Sequence, residues 1–218
     1  GGESTRPGAI EVPVDEEIRR IEPVIEAIRA ETGTAISIDT RKAAVAEAAL
    51  AAGASLVNDV SGFTFDAGLA PLCADTGTPV CIMHAQGDPA TMQQDPHYDN
   101  VLLDVYDFLS AQVDRLAAAG LARGQIVIDP GIGFGKTQVH NLTLLRNLSL
   151  FHGIGCPILL GVSRKRFIGT IGKEPLAAAR APGSISVGLS GLAQGVQILR
   201  VHDVAETAQA LRLWAAVR

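Results

Sequence analysis

Two hydrophobic patterns alternate along this chain: stretches with apolar residues three or four positions apart, and short runs of consecutive, largely β-branched residues. The first is the signature of amphipathic helices and the second of buried strands. Residues 15–31 carry Ile18, Ile21, Ile25 and Ile28 at helical spacing. Asp15, Glu16 and Glu17 lie in the first turn, where the helix dipole favours acids, and Gly33 supplies the stop. Residues 35–39 read as a short strand ending on Asp39, after which Thr40 is placed to cap an alanine-rich helix that stops at Gly53. The pattern then repeats: strand 55–60, helix 67–75, strand 79–84, a polar loop over 87–99, helix 98–119 closed by Gly120, and a strand opening at Ile126. Helix 139–151, strand 157–163, helix 184–193, strand 196–203 and helix 204–217 complete the chain, with no linker or low-complexity tract to mark a second domain.

Strict alternation of near-continuously apolar strands with helices predicts a parallel sheet covered by helices. Six strands suit an open doubly wound sheet. They also suit a (β/α)₈ barrel lacking its beginning, because 218 residues fall short of the roughly 250 typical of that fold. The strand ends favour the barrel, whose sites gather side chains from the carboxyl ends of many strands. Here those ends offer Asp39, Asn58, Met83, Asp129, Lys165, Arg200 and His202.

Composition narrows the function class. With 47% hydrophobic and 19% charged residues the chain is globular, and a net charge of -5 argues against a nucleic-acid surface. No apolar run approaches the ~18 residues of a membrane span. Cys73, Cys81 and Cys156 are odd in number and widely spaced, which predicts neither a disulfide framework nor a zinc site and fits a reducing cytoplasm.

The stretch from Ile126 to Lys136 carries the strongest local signal: a strand, an acid at its end, then a glycine-rich loop. A phosphate-cradling P-loop requires a glycine five residues before Gly135, where this chain has Pro130. Gly131, Gly133 and Gly135 are spaced by two, not in the Gly-x-Gly-x-x-Gly order of a dinucleotide site. What remains is a loop carrying one aromatic, Phe134, and one cation, Lys136, beside Asp129.

Seven segments in order, each at a strand end or loop, resemble the dihydropteroate synthase family: Glu3-Ser4-Thr5-Arg6-Pro7-Gly8, Ser37-Ile38-Asp39-Thr40, Asn58-Asp59-Val60-Ser61-Gly62, Met83-His84, the run from Asp129 to Lys136, Ser163-Arg164-Lys165, and Arg200-Val201-His202-Asp203. The resemblance implies a single (β/α)₈ domain over residues 1–218, with the first βα unit and most of the second strand lying before this sequence. It further implies a transferase that joins 6-hydroxymethyl-7,8-dihydropterin diphosphate to p-aminobenzoate and releases pyrophosphate. A pterin-binding methyltransferase shares the barrel and the acid-amide pterin lock but has no pyrophosphate to release, so Ser163-Arg164-Lys165 and the Arg200/His202 pair favour the synthase over it. A non-catalytic pterin-binding module is the reading from a different class.

On this resemblance Asp39, Asn58, Met83, Asp129, Lys165 and Arg200 contact the pterin, with Asp39, Lys165 and Arg200 closest to the chemistry. The residue types agree with that division. A carboxylate such as Asp129 accepts both donors of an aminopyrimidinone edge, while Asn58 and Lys165 complement the rest of it. Thr5, Arg200 and His202 are implied for the diphosphate. Thr5, Arg6, Pro7, Phe134, Ser163 and Arg166 are implied for p-aminobenzoate, Phe134 and Pro7 sandwiching its ring. Some members have Ser where this chain has Arg166. The resemblance also implies Mg²⁺, held in part by an Asn that would precede residue 1, and a homodimer, for which the small residues Gly183, Ser184, Ser186, Gly188, Ser190 and Gly191 offer a close-packing helix face. With Phe134 as the single aromatic of its loop, the resemblance implies sulfonamide sensitivity, and loops carrying Phe134, Pro7 and Arg6 that close over the mouth imply p-aminobenzoate binding that follows the pterin.

Overall fold

The computed structural model describes residues 2–4, 9–87, 92 and 95–217. It consists of six strands, β1 (Ser37–Asp39), β2 (Leu56–Asp59), β3 (Val80–Met83), β4 (Ile126–Asp129), β5 (Leu159–Leu160) and β6 (Ile198–Leu199). Eight helices accompany them: α1 (Val14–Glu31), α2 (Ala43–Ala51), α3 (Leu69–Asp75), α4 (Val101–Ala118), α5 (Gln138–Arg146), α6 (Arg166–Ile171), α7 (Ala181–Ala193) and α8 (Val204–Ala216). Strands β1 to β4 form one parallel sheet in chain order, β5 pairs with β6, and a parallel bridge between Ile128 and Ile158 joins the two. Consecutive parallel neighbours with a helix after each strand are the arrangement of a (β/α)₈ barrel, here as an arc of six strands against the eight of a closed one. The arc curls far enough for Arg200, just past β6, to reach Asp39 at the end of β1.

Local chemistry explains most of the elements. In α4, Val105, Leu109, Val113 and Leu116 recur at three and four residues and are fully buried. Asn100 caps that helix by accepting from the amides of Leu102 and Leu103. All residues of β3 and β4 are buried, as a strand covered on both faces requires. A single apolar cluster runs from Ile21 in α1 to Val196 before β6.

Several sequence expectations shift. Thr40 does not cap α2: its hydroxyl donates to Glu17, and the amide of Ala43 at the helix start is instead taken by Asp66. Glu17, placed in the first turn of α1 as a dipole-favoured acid, is buried against Lys42, whose ammonium also meets Glu3 at 2.7 Å. Helix 139–151 breaks at Arg146 and continues as a 3₁₀ segment, Leu148–Ile154. Most small residues of α7 face inward, not outward. A side chain at Gly188 would meet Leu199, and one at Gly191 would meet Leu160 and Leu148, which leaves Ser186 and Ser190 on the outer surface.

Candidate active site

Parallel register decides which side chains share the inner face of the arc. Asp39 pairs with Asn58, Asn58 with Cys81, Cys81 with Val127, and Met83 with Asp129, so these residues point to one side while Ile38, Val57, Ile82 and Ile128 point to the helices. Asp59, one residue past Asn58, therefore faces away from the mouth. Its carboxylate accepts from Ser61 N and Oγ and from Phe63 N, fixing the turn after β2. Asn58 is partly exposed, and among the described residues its side chain has no hydrogen-bond partner. Cys81 was not singled out by sequence reasoning. It lies on the same inner face, fully buried, and burial raises its thiol well above the ordinary range, so it is an inert floor.

Asp129 is the buried acid of this face. Burial raises its pKa, while the amide of Gly131, at 2.8 Å from Oδ1, and the charges of Lys165, Lys136 and Arg200 pull it back. Lys165 faces it from the loop after β5. Burial lowers Lys165 to about 8, its ammonium donates to Ile132 O at 2.6 Å, and it stands 4.2 Å from the centroid of the Phe134 ring. Arg200 donates to Asp39 Oδ2 at 3.2 Å, and its side chain remains 63% exposed, leaving donors open to the mouth. Asp39 Oδ1 is buried without a partner among the described residues, an acceptor left for a ligand.

The loop after β4 is set by its glycines. Gly131 (φ 69°) and Gly135 (φ 60°) are left-handed, and a Cβ at either would run into backbone, the carbonyl of His84 or that of Gln86. The loop thus lies directly on the end of β3. Lys136 pins it there: Nζ meets His84 Nδ1 at 2.9 Å, Phe134 O at 3.0 Å and His84 O at 3.2 Å. Burial lowers Lys136 to about 7 and His84 to about 3, so His84 is a neutral acceptor. Neither residue faces the mouth as a free group.

Beside the Asp129 cluster opens a cleft of about 660 Å³ lined by Gly133, Lys136, Asn141, Lys165 and the exposed Arg166 at the start of α6. Phe134 turns toward a smaller cavity of about 300 Å³ that it shares with Arg41, Phe65 and Met92. Arg41 lies over the Phe65 ring at 4.1 Å and pairs with Glu3, a placement sequence reading missed because its partner is on a separate segment. Arg200 and His202, read as alternate residues of one strand, both lie beyond Leu199, where β6 ends. His202 Nδ1 is 2.8 Å from Ser163 Oγ. The hydroxyl expected at p-aminobenzoate is thus bound to His202 in this structure. Thr5, Arg6 and Pro7 lie outside the described residues. Among the described residues no three of His, Cys, Asp and Glu gather as metal ligands.

The family model described as "Pterin binding enzyme" matches residues 1–202. The dihydropteroate synthase of Escherichia coli (strain K12) is 43% identical over 213 residues, 98% of this chain and 75% of that protein. Among solved structures, a Yersinia pestis dihydropteroate synthase in a sulfonamide complex superposes with a TM-score of 0.95 at 43% identity, covering 100% of this chain and 78% of that one. The Thermus thermophilus dihydropteroate synthase in complex with 4-aminobenzoate gives 0.93 at 45% identity, covering 100% and 82%.

Proposed function

The chain belongs to the pterin-binding enzyme family as a dihydropteroate synthase, and from that premise we propose how its own residues divide the work. The reaction joins 6-hydroxymethyl-7,8-dihydropterin diphosphate to p-aminobenzoate in folate biosynthesis. The amine nitrogen attacks the methylene carbon, the carbon–oxygen bond to the diphosphate breaks with its electron pair leaving on pyrophosphate, and the amine gives up a proton. The observation that carries the assignment of roles is a buried carboxylate, Asp129, on the inner face of the arc with Lys165 and Arg200 close enough to act on its charge.

Asp129 accepts from the 2-amino group and ring N–H of the pterin, Asn58 completes that edge, Lys165 donates to the pterin carbonyl, and Met83 packs on the ring face. Asp39, with one oxygen on Arg200 and one without a partner among the described residues, steadies positive charge as the bond to the leaving group lengthens. Arg200 and His202 hold the diphosphate, joined by Thr5. Phe134, whose ring centroid is 4.2 Å from the Lys165 ammonium, and Pro7 flank the p-aminobenzoate ring, with Thr5, Arg6 and Arg166 around its carboxylate, while the Ser163 hydroxyl expected there is taken by His202; sulfonamides enter the same place.

Mg²⁺ accompanies the diphosphate in this reading. Among the described residues no three of His, Cys, Asp and Glu gather as ligands, so a Mg²⁺ ion here would be held largely through phosphate oxygens and water and would neutralise diphosphate charge, and no step above runs through it. A second copy of the chain covers the apolar groove of about 540 Å³ formed by Leu142, Leu145, Ile168, Ile171 and Val187 with Ser186 and Ser190 at its edge. Static light scattering at micromolar concentration checks this homodimer. Three buried free cysteines fit a reducing cytoplasm, and among the described residues no helix is long and apolar enough to cross a membrane.

Calorimetry with the pterin diphosphate followed by a pyrophosphate-release assay with p-aminobenzoate tests the assignment. Release that is lost in Asp129→Asn and in Lys165→Met supports it. Binding without release would mark a non-catalytic module, and release unaffected by either substitution would overturn the roles given.

A further inference from the structure

Beyond the roles above, one hydroxyl next to the leaving-group site has its hydrogen bonds fully determined. The register Leu160↔Leu199 between β5 and β6, continued three residues, brings Ser163 opposite His202. Ser163 Oγ, nearly buried, has two neighbours: the backbone N–H of His202 at 3.1 Å and the ring Nδ1 of His202 at 2.8 Å. Among the described residues it has no others.

A hydroxyl has one proton to give and two lone pairs to receive with. The backbone amide can only donate, so it takes a lone pair. If Nδ1 were also a donor, the hydroxyl proton would point at no acceptor in a nearly buried position, which is costly. With Nδ1 as acceptor every group is satisfied. We infer that Ser163 is a positioning residue that holds His202 in the tautomer with its proton on Nε2, so that the exposed edge of the ring carries an N–H donor for the oxyanion of the departing diphosphate. The donor's action on the diphosphate rests on the role given to His202 above; the tautomer does not.

A plain anchoring role for Ser163 is already filled. The neighbouring Arg164 donates from Nε to Asp203 at 3.1 Å and from a second nitrogen to the other oxygen, which ties the segment after β6 to the segment after β5 without Ser163. The amide of Arg164 is taken by Ser184 Oγ at 2.8 Å, fixing its left-handed backbone (φ 58°). Removing the Ser163 hydroxyl therefore leaves the loop placed and releases the ring proton to either nitrogen.

The test is ¹⁵N NMR of the full chain with labelled histidine, at a pH where the imidazole is neutral, the His202 signals being identified by their loss in His202→Gln. The parent and Ser163→Thr should show Nδ1 as a pyridine-type nitrogen and Nε2 as a protonated one, whereas Ser163→Ala should show averaged values. Calorimetry with inorganic pyrophosphate should give affinity about tenfold weaker in Ser163→Ala, the scale of one net hydrogen bond. Binding of 6-hydroxymethylpterin without its diphosphate should stay within about twofold. A parent spectrum with the proton on Nδ1, or a Ser163→Ala spectrum identical to that of the parent, overturns the assignment of Ser163. If the spectra behave as stated but parent and variant bind pyrophosphate equally, Ser163 sets the tautomer and the diphosphate role of His202 falls instead.

Discussion

Replacing Asp129 by Asn separates ligand recognition from folding, because the two are expected to move in opposite directions. One oxygen of Asp129 already accepts from Gly131 N at 2.8 Å, and an Asn that keeps this bond must turn its NH₂ toward the mouth. There it meets the donors of the pterin edge. The variant loses one charge-assisted hydrogen bond, about 1.5–3 kcal/mol, and leaves a buried donor facing a donor, about 1–3 kcal/mol more. The sum, about 2.5–6 kcal/mol, raises Kd by between roughly two and four and a half powers of ten. Folding follows the other sign. Burial raises the pKa of Asp129 above its ordinary 3.8, so the folded state disfavours the ionised form, and stability is lost as pH climbs from 3.8 through the folded pKa. As pH rises the parent takes on that penalty and the amide does not. Calorimetry with the pterin diphosphate and thermal denaturation at about pH 7.5 measure both. A Kd within about threefold of the parent would refute the recognition role, since even the smaller of the two losses amounts to more than threefold. A lost Kd accompanied by a fall in Tm would show that the substitution acts through the fold.

Burial lowers Lys165 to about 8, so pterin affinity should decline as pH rises through 8, by up to about tenfold per unit, while its contribution to fold stability grows between about 8 and 10.5 because the unfolded chain binds the proton more tightly. A flat Kd between about pH 7 and 9.5 would exclude Lys165 as a charged donor. Gly131→Ala combines a left-handed backbone with a Cβ driven into the His84 carbonyl, and should destabilise by about 3 kcal/mol or more, lowering Tm by roughly 6–12 °C; a scan within about 2 °C of the parent would contradict the close backbone packing. Lys136→Met removes the donor that ties Phe134 O to the end of β3, so KM for p-aminobenzoate should rise about tenfold, more than the pterin Kd, which changes only through the lost charge near Asp129. Steady-state kinetics giving equal changes for both substrates would place Lys136 in the general fold and not in the Phe134 loop.

Helices and strands were legible in the sequence because periodicity is local: Val105, Leu109, Val113 and Leu116 mark α4, and the apolar runs ending at Met83 and Asp129 mark β3 and β4 whatever surrounds them. The motif order likewise carried the family, the parallel barrel class and the acid at the end of β4. Polar partnerships were not legible, since a side chain that can bond in several ways is committed only by what register and curvature bring beside it. Thr40 has the composition of a cap, yet Glu17, 23 residues away, accepts its hydroxyl hydrogen bond. Asp39 meets Arg200 across 161 residues because the arc curls, and Lys136 meets His84 across 52 because β3 and β4 are neighbours. Ser163 and His202, each visible as a polar residue near a strand end, became a tautomer lock only when β5 and β6 paired in the observed register.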